Sequence, residues 1–477
     1  MDKKKQVGVL CPVSALPSRY GIGDFGKEAY EFVDELAKSK MFIWQILPLN
    51  PLGFGNSPYQ PLSSYAGDEI YISIDGLMSE HLLSQDDIDF DYTNELSVHY
   101  DDVREKKERL YRKAFSHFTN KGLLKQFMDE NPWVKDYALF RVFKKINHNK
   151  SWVEWRKQYK DYQKYPSLFL LEYSQEVQYQ VFLQYSFFLQ WKQLKAYANQ
   201  KGLTIIGDMP IYVGLDSVDV WTHQDSFLLD DDGFPTSVAG VPPDYFSQYG
   251  QRWGNPIYNW EYLQAHDFSF WVNRMKAAYQ IYDTVRIDHF RAFDTYWQIP
   301  ATEPTAVIGK WIEAPGYQLF DTLFQQIPHL SILAEDLGEL RNEVYDLRDH
   351  YHLKGMYVFQ FHYDCEFDFE KVIVYTGTHD NDTLVGWLAK LSEEDHIKID
   401  KLLEKYSEDE DYLKIIHYCL DLPTTQVIFP IWDILGLDND YRFNQPGVIG
   451  SPNWEMRLTS LEAFKKQLAL LTQMGDF

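Results

Sequence analysis

Cysteine is scarce in this sequence: Cys11, Cys365 and Cys419 are the three in 477 residues. Odd in number and far apart, they exclude a disulfide framework and a Cys-x-x-Cys metal site, and they suit a reducing, cytoplasmic compartment. No run of roughly 18 apolar residues occurs, so no membrane-spanning helix is expected. The cluster Lys3-Lys4-Lys5 is followed by Pro12, Ser14 and Pro17 rather than by an apolar stretch of signal-peptide length, so no secretory leader is expected. Basic residues are in deficit, with 46 Lys and Arg against 70 Asp and Glu and a formal net charge of −24. Phosphates are bound through clustered Lys and Arg, so neither a nucleic acid nor an anionic membrane is an expected partner.

What is present is a globular composition, 45% hydrophobic, with an excess of aromatics: 17% of the chain, including 14 Trp and 34 Tyr. Most of these belong in a core; the surplus suits stacking on the apolar faces of sugars. Short apolar runs ending in polar residues recur at Val7–Leu16, Met41–Leu49, Leu203–Val213, Thr284–Phe290, Ser331–Asp336, Lys354–Phe361, Lys371–Asp380 and Thr424–Leu435. Helix-period stretches lie between several of them, at Asp24–Ser39, Gln178–Gln200, His266–Tyr282 and Gly338–His350. Continuous apolar strands alternating with helices predict a parallel sheet covered on both faces, and eight of them predict a (β/α)8 barrel with its chemistry at the C-terminal strand ends. One connection is too short for a crossover helix, between Phe361 and Lys371, so either that unit closes through a loop or the strand count is off by one. The expected organisation is a single barrel domain over residues 1–477 with insertions on its C-terminal face. These are a helical subdomain at about 75–166, a loop-rich insertion covering the active site at about 216–259, and a smaller one at about 436–454.

Three strand ends carry carboxylates: Arg286-Ile287-Asp288-His289, Leu333-Ala334-Glu335-Asp336, and Thr378-His379-Asp380-Asn381. Any one of them alone could be an ordinary polar cap; together they fit a retaining glycosidase, which needs an ionised nucleophile and a protonated acid roughly 5 Å apart. Arg286 and Asp288 share a strand face at period 2, so the guanidinium is expected to keep Asp288 ionised as nucleophile. Glu335 follows an apolar run, which is expected to raise its pKa and suit it to donate a proton. Asp380 is then the third carboxylate, binding sugar hydroxyls. His289 and His379 lack metal-ligand spacing and could be satisfied core histidines; Tyr59 and Trp253 could be packing aromatics and Asp208 a strand cap. Asp230-Asp231-Asp232-Gly233 lacks the further ligands of a calcium loop and reads as a solvated turn. No metal or cofactor site is expected, and no Gly-x4-Gly-Lys phosphate loop occurs.

These motifs belong to a larger ordered set: Ser14-Ala15-Leu16-Pro17-Ser18, Gly21-Ile22-Gly23-Asp24, Gln45-Ile46-Leu47-Pro48-Leu49, Asn56-Ser57-Pro58-Tyr59, Gly207-Asp208-Met209-Pro210, Pro242-Pro243-Asp244-Tyr245, Gly250-Gln251-Arg252-Trp253-Gly254-Asn255-Pro256, and Asn444-Gln445-Pro446-Gly447 leading to Asn453-Trp454. Over nearly its whole length the chain resembles glycoside hydrolase family 77, the 4-α-glucanotransferases called amylomaltases or disproportionating enzymes. The resemblance implies Asp288 as nucleophile, Glu335 as acid/base and Asp380 as transition-state-stabilising carboxylate. It implies sugar-binding roles for Ser57, Tyr59, Asp208, Arg286, His289, His379 and Asn444, and a covering loop bearing Asp244, Gln251 and Trp253. Phe54 stands where some members have Tyr, which keeps a stacking face and loses a hydroxyl. The expected activity is cofactor-free transfer of α-1,4-glucan segments to the 4-hydroxyl of a glucose or maltooligosaccharide acceptor, with oligomeric state left open. The rival expectations are an amylase-type hydrolase with the same carboxylates and a non-catalytic glucan-binding protein.

Overall fold

The computed structural model describes residues 5–243 and 247–475. Eight parallel strands make one sheet: Gln6–Leu10, Met41–Gln45, Thr204–Pro210, Thr284–Asp288, Ile332–Ala334, Gly355–Val358, Val372–Tyr375 and Gln426–Pro430. Their order in space runs sixth, seventh, eighth, first, second, third, fourth, fifth. That is the chain order cut at one joint, and the joint is closed by the parallel bridge between Leu333 and Lys354 and by Ala334 N–H donating to the Lys354 carbonyl at 2.8 Å. The apolar runs read from the sequence are the eight strands of a closed barrel, each ending earlier than its run because the chain turns into loops or short helices at the C-terminal strand ends.

Helix Lys27–Lys38 buries Ala29, Phe32, Val33 and Leu36, a stripe at helical spacing. It begins later than the apolar pattern does because the Asp24 carboxylate accepts the Gly26 N–H at 2.8 Å and turns the chain first. Helices Ser269–Ile281 and Asn342–His350 cover other units. The short connection between the sixth and seventh strands closes without a crossover helix. Beyond one turn at Phe359–His362 it is a loop whose Phe367 and Phe369 pack on Tyr357, with ring centroids 5.1 and 5.2 Å away. Aromatic side chains thus cover the barrel where a helix is missing, and the strand count stands.

Between the second and third strands, helices Lys121–Glu130 and Trp133–Ile146 pack on the long helix Ser174–Gln200. The stretch expected to be loop-built after the third strand contains strands Ser237–Val241 and Gln251–Pro256. They join Thr295–Pro300 and Lys310–Glu313 in a four-stranded antiparallel sheet that the sequence reading did not anticipate. Half of this sheet follows the third barrel strand and half the fourth, and a small core of Val238, Ile299 and Ala306 lies on it. Among the described residues no helix is long and apolar enough to cross a membrane.

Candidate active site

The third and fourth strands build the floor. Asp208 and Arg286 are Cα partners in their ladder, and both side chains are buried. Burying a guanidinium demands compensation. Arg286 Nη1 lies 2.8 and 2.7 Å from the two Asp208 oxygens and 3.2 Å from Asp288 Oδ1. Tyr59 donates its hydroxyl to Asp208 Oδ2 at 2.7 Å. Asp208 is therefore no simple strand cap; it is the main counter-ion of Arg286 and the anchor of Tyr59.

Asp288 and Glu335 close neighbouring strands. Ile287 and Ala334 are the last Cα partners of the ladder, so the two carboxylates stand side by side just beyond it, where Glu335 N–H donates to the Ile287 carbonyl at 3.1 Å. His289 adopts left-handed backbone (φ 56°), unusual for a residue with a side chain and frequent at functional sites. The turn it makes delivers its N–H to Glu335 Oε2 at 2.7 Å, while Leu337 N–H reaches Oε1 at 3.3 Å. Burial pushes the Glu335 carboxyl up, opposed by Arg286 and by these backbone donors. Asp288 departs from expectation. Burial pushes it well above the ordinary carboxylate range, with Asp208, Glu335 and Asp380 adding to the rise, and Arg286, whose charge Asp208 also claims, only opposes it.

The seventh strand ends in the loop that carries His379 and Asp380. Asn381 Oδ1 accepts Thr378 N–H at 2.9 Å and its hydroxyl at 2.8 Å, which tightens the turn. Asp380 is gripped from two sides, by Asn444 Nδ2 on Oδ1 at 2.6 Å and by His379 Nε2 at 3.3 Å from Oδ2. Burial pulls the His379 imidazole down, and that of His289 to about 3, so both rings are neutral at physiological pH. Tyr59 stacks on His379 at 5.1 Å and 12°, with Trp454 behind both. On the other side the Trp253 ring meets His289 edge to face at 4.8 Å and 88°, and its Nε1 donates to Gln251 Oε1 at 3.1 Å.

Of the residues singled out in the sequence, the structure gathers Asp288, Glu335, Asp380, Tyr59, Asp208, Arg286, His289, His379, Asn444, Gln251 and Trp253 into this one constellation. Ser57 stands behind it, its hydroxyl accepting Tyr59 N–H at 3.3 Å. Asp244 lies outside the described residues. Phe54, on the loop that carries Tyr59, is 77% exposed. The reading missed Arg442, which bonds the Asp380 carbonyl at 2.6 Å and Asp382 at 2.5 Å; its position two residues before Asn444 was the available signal. Asp230 Oδ1 accepts the N–H groups of Asp232 and Phe234, an ordinary side-chain-closed turn. Among the described residues no group of three His, Cys, Asp or Glu side chains is arranged to hold a metal ion. Two adjacent carboxyls, a third that is partly exposed, neutral imidazoles and facing aromatic rings make an arrangement capable of acid/base and nucleophilic chemistry.

Known proteins agree. The sequence profile of glycoside hydrolase family 77, described as 4-alpha-glucanotransferase, matches residues 11–462. A 4-alpha-glucanotransferase of Synechocystis is 41% identical over 96% of this chain and 94% of its own length. That of Thermus thermophilus is 37% identical over 100% and 99%. The amylomaltase of Streptococcus agalactiae, solved in complex with acarbose, superposes with a TM-score of 0.93 at 36% identity over 99% of this chain and 98% of that one. The chain belongs to glycoside hydrolase family 77, the 4-alpha-glucanotransferases.

Proposed function

We propose that this 4-α-glucanotransferase works by double displacement, with Asp288 as nucleophile, Glu335 as acid and then base, and Asp380 as the carboxylate that binds sugar hydroxyls in the transition state. The observation that carries the reading is that Asp288 and Glu335 each directly follow the last ladder pair of two neighbouring strands, Ile287 with Ala334. Adjacent strands lie about 4.8 Å apart, which suits the roughly 5 Å carboxyl separation of retaining enzymes rather than the wider gap of inverting ones. An Asp288 oxygen attacks the anomeric carbon, the bond from that carbon to the leaving O4 breaks, and O4 takes the Glu335 proton. In the second half Glu335 takes the proton of an acceptor 4-hydroxyl, that oxygen attacks the anomeric carbon, and the bond to Asp288 breaks, so the product stays α.

Both carboxyls are pushed up, and the pair titrates as a unit. Arg286, 3.2 Å from Asp288, favours the anion at both carboxyls, and the first step needs the pair's one proton on Glu335. Tyr59 stacked on His379 offers one platform for the glucosyl ring, and Trp253 against His289 covers the other side. Water at roughly 55 M outnumbers any acceptor, so transfer needs such a cover over the glycosyl intermediate. A reducing, cytoplasmic setting without a nucleic-acid partner is part of the proposal, supported by three free cysteines and the net charge of −24.

Product analysis from maltotriose tests it. The wild type should yield glucose and longer oligosaccharides with few new reducing ends. Asp288→Asn and Glu335→Gln should each lose several orders of magnitude in rate, as when one member of a catalytic unit is removed. A correctly folded variant of either kind that keeps more than about a few per cent of the activity removes that residue from its role.

A further inference from the structure

Beside Tyr59 lies Gln60, and two residues beyond Trp253 lies Asn255. Their side-chain amides pair reciprocally: Gln60 Nε2 donates to Asn255 Oδ1 at 2.9 Å, and Asn255 Nδ2 donates to Gln60 Oε1 at 3.3 Å. Asn255 is buried, and its Nδ2 also donates to the Val213 carbonyl at 3.0 Å, just past the third barrel strand. The Gln60 backbone is held as firmly. Its carbonyl lies where a Cβ on Gly53 would sit, and its N–H donates to the Ser57 carbonyl at 3.4 Å. Between Trp253 and Asn255, Gly254 takes a left-handed φ of 82°, and a Cβ there would make only an ordinary contact with Arg252 at 3.8 Å, so a glycine is needed there for its backbone rather than for room. One amide pair therefore spans the loop that presents Tyr59 and the strand that presents Trp253, with the barrel wall as third anchor.

We propose that Gln60 and Asn255 form a latch that sets the position of the Trp253 cover relative to the Tyr59 platform, and through it the partition of the glycosyl intermediate between acceptor sugar and water. The proposal rests on the reading of Trp253 as a cover. A reciprocal amide pair suits the task because each amide gives one N–H and accepts one in a single register. An apolar contact tolerates sliding; this pair does not. With Val213 fixing the Asn255 amide, the carbonyl oxygen is left facing Gln60, so a donor is required at position 60. Gln60 and Asn255 act through their neighbours and are positioning residues.

The test is the hydrolysed fraction of the products formed from maltotriose, read as new reducing ends against total bonds cleaved. Gln60→Ala should raise that fraction about fivefold, the scale of losing one or two partly buried hydrogen bonds, while total cleavage stays within about twofold. Gln60→Glu keeps the volume but sets a carboxylate against Asn255 Oδ1, and should do the same. The double variant Gln60→Ala with Asn255→Ala should add little to either single change, and the exchange Gln60→Asn with Asn255→Gln, which keeps both amides and the summed length, should restore much of the wild-type fraction. A purely structural pair would lower thermal stability and total turnover together and leave the fraction alone, and that result overturns the latch. So do additive single effects. Trp253→Ala separates the two levels: if it raises the fraction and the Gln60 variants do not, the latch fails and the cover stands. If Trp253→Ala leaves the fraction unchanged, the cover reading falls and the latch with it. Should Asn255→Ala fail to fold, Gln60→Ala and Gln60→Glu decide alone.

Discussion

Arg286 Nη1 sits between two carboxylates, 2.7 Å from Asp208 Oδ2 and 3.2 Å from Asp288 Oδ1, so a single buried cation serves both the floor of the site and its nucleophile. The shorter contacts go to Asp208, whose other partner is the Tyr59 hydroxyl. Asp208 thus meters how much of the guanidinium charge reaches Asp288 and at the same time fixes the aromatic platform.

Replacing Asp208 disturbs both functions. Asp208→Asn leaves Arg286 short of one negative partner, and breaking a buried pair from one side costs about 3–5 kcal/mol, less here because Asp288 remains. The expected result is a lower Tm together with a fall in kcat larger than any rise in KM, since the charge at the nucleophile changes. Unfolding midpoints and steady-state rates on maltooligosaccharides measure this. A variant with wild-type Tm and kcat shows that the pair neither holds the floor nor tunes Asp288.

The pH dependence of turnover should belong to the carboxyls alone. His289 is pulled down to about 3, so its ring does not change charge between pH 5 and 8, and His379 is pulled down in the same direction. Asp288 and Glu335 are both pushed up, so the bell of activity against pH lies above the range of free carboxyls. Its two limbs belong to the coupled Asp288–Glu335 pair, which must hold one proton and one negative charge to work. On a glycosyl fluoride, whose leaving group needs no proton, Glu335→Gln should retain the acid limb and lose the alkaline one in the first, glycosylating step. Should His289→Gln move either limb, the assignment of both limbs to carboxyls is wrong.

How much of this could be read from the sequence follows from locality. Each barrel strand is a short apolar run with polar ends, because a parallel strand is buried on both faces, and that signal lies within a few residues. The second sheet escaped notice because Lys310–Glu313 is largely exposed, Gln251–Pro256 is only partly buried and mostly polar, and the sheet's two halves, joined through Ser237–Val241 and Thr295–Pro300, come from separate insertions. In the site, period 2 was enough to put Arg286 beside Asp288. The share of its charge taken by Asp208 depends on the register between two strands, which no local pattern encodes. Gln60 and Asn255 are polar residues 195 positions apart, and only the folded chain pairs them.

Asp433 is a case where the sequence held a signal, a lone acid inside the apolar run Phe429-Pro430-Ile431-Trp432-Asp433-Ile434, and it supports the last prediction. The side chain is fully buried and accepts the Thr376 hydroxyl at 2.6 Å and Leu384 N–H at 2.7 Å, the two ends of the loop that carries His379 and Asp380. Burial pushes its carboxyl from the ordinary 3.8 up to about 7. Between those values the native chain keeps a proton that the unfolded chain has released. The stability this group contributes is therefore complete below pH 3.8 and is lost as pH rises to about 7, at a slope of about 1.4 kcal/mol per pH unit. Asp433→Asn removes the titration while keeping an acceptor for Leu384 N–H and a donor toward the Thr376 hydroxyl oxygen. Asp24, pushed up to about 6, and the catalytic carboxyls contribute the same slope to both proteins and cancel in the difference. The Tm of the variant minus that of the wild type should therefore climb steadily from pH 5 to pH 7 and level off above it, with activity retained because the loop ends remain tied. Parallel Tm curves over that range mean that Asp433 does not carry its proton in the native state.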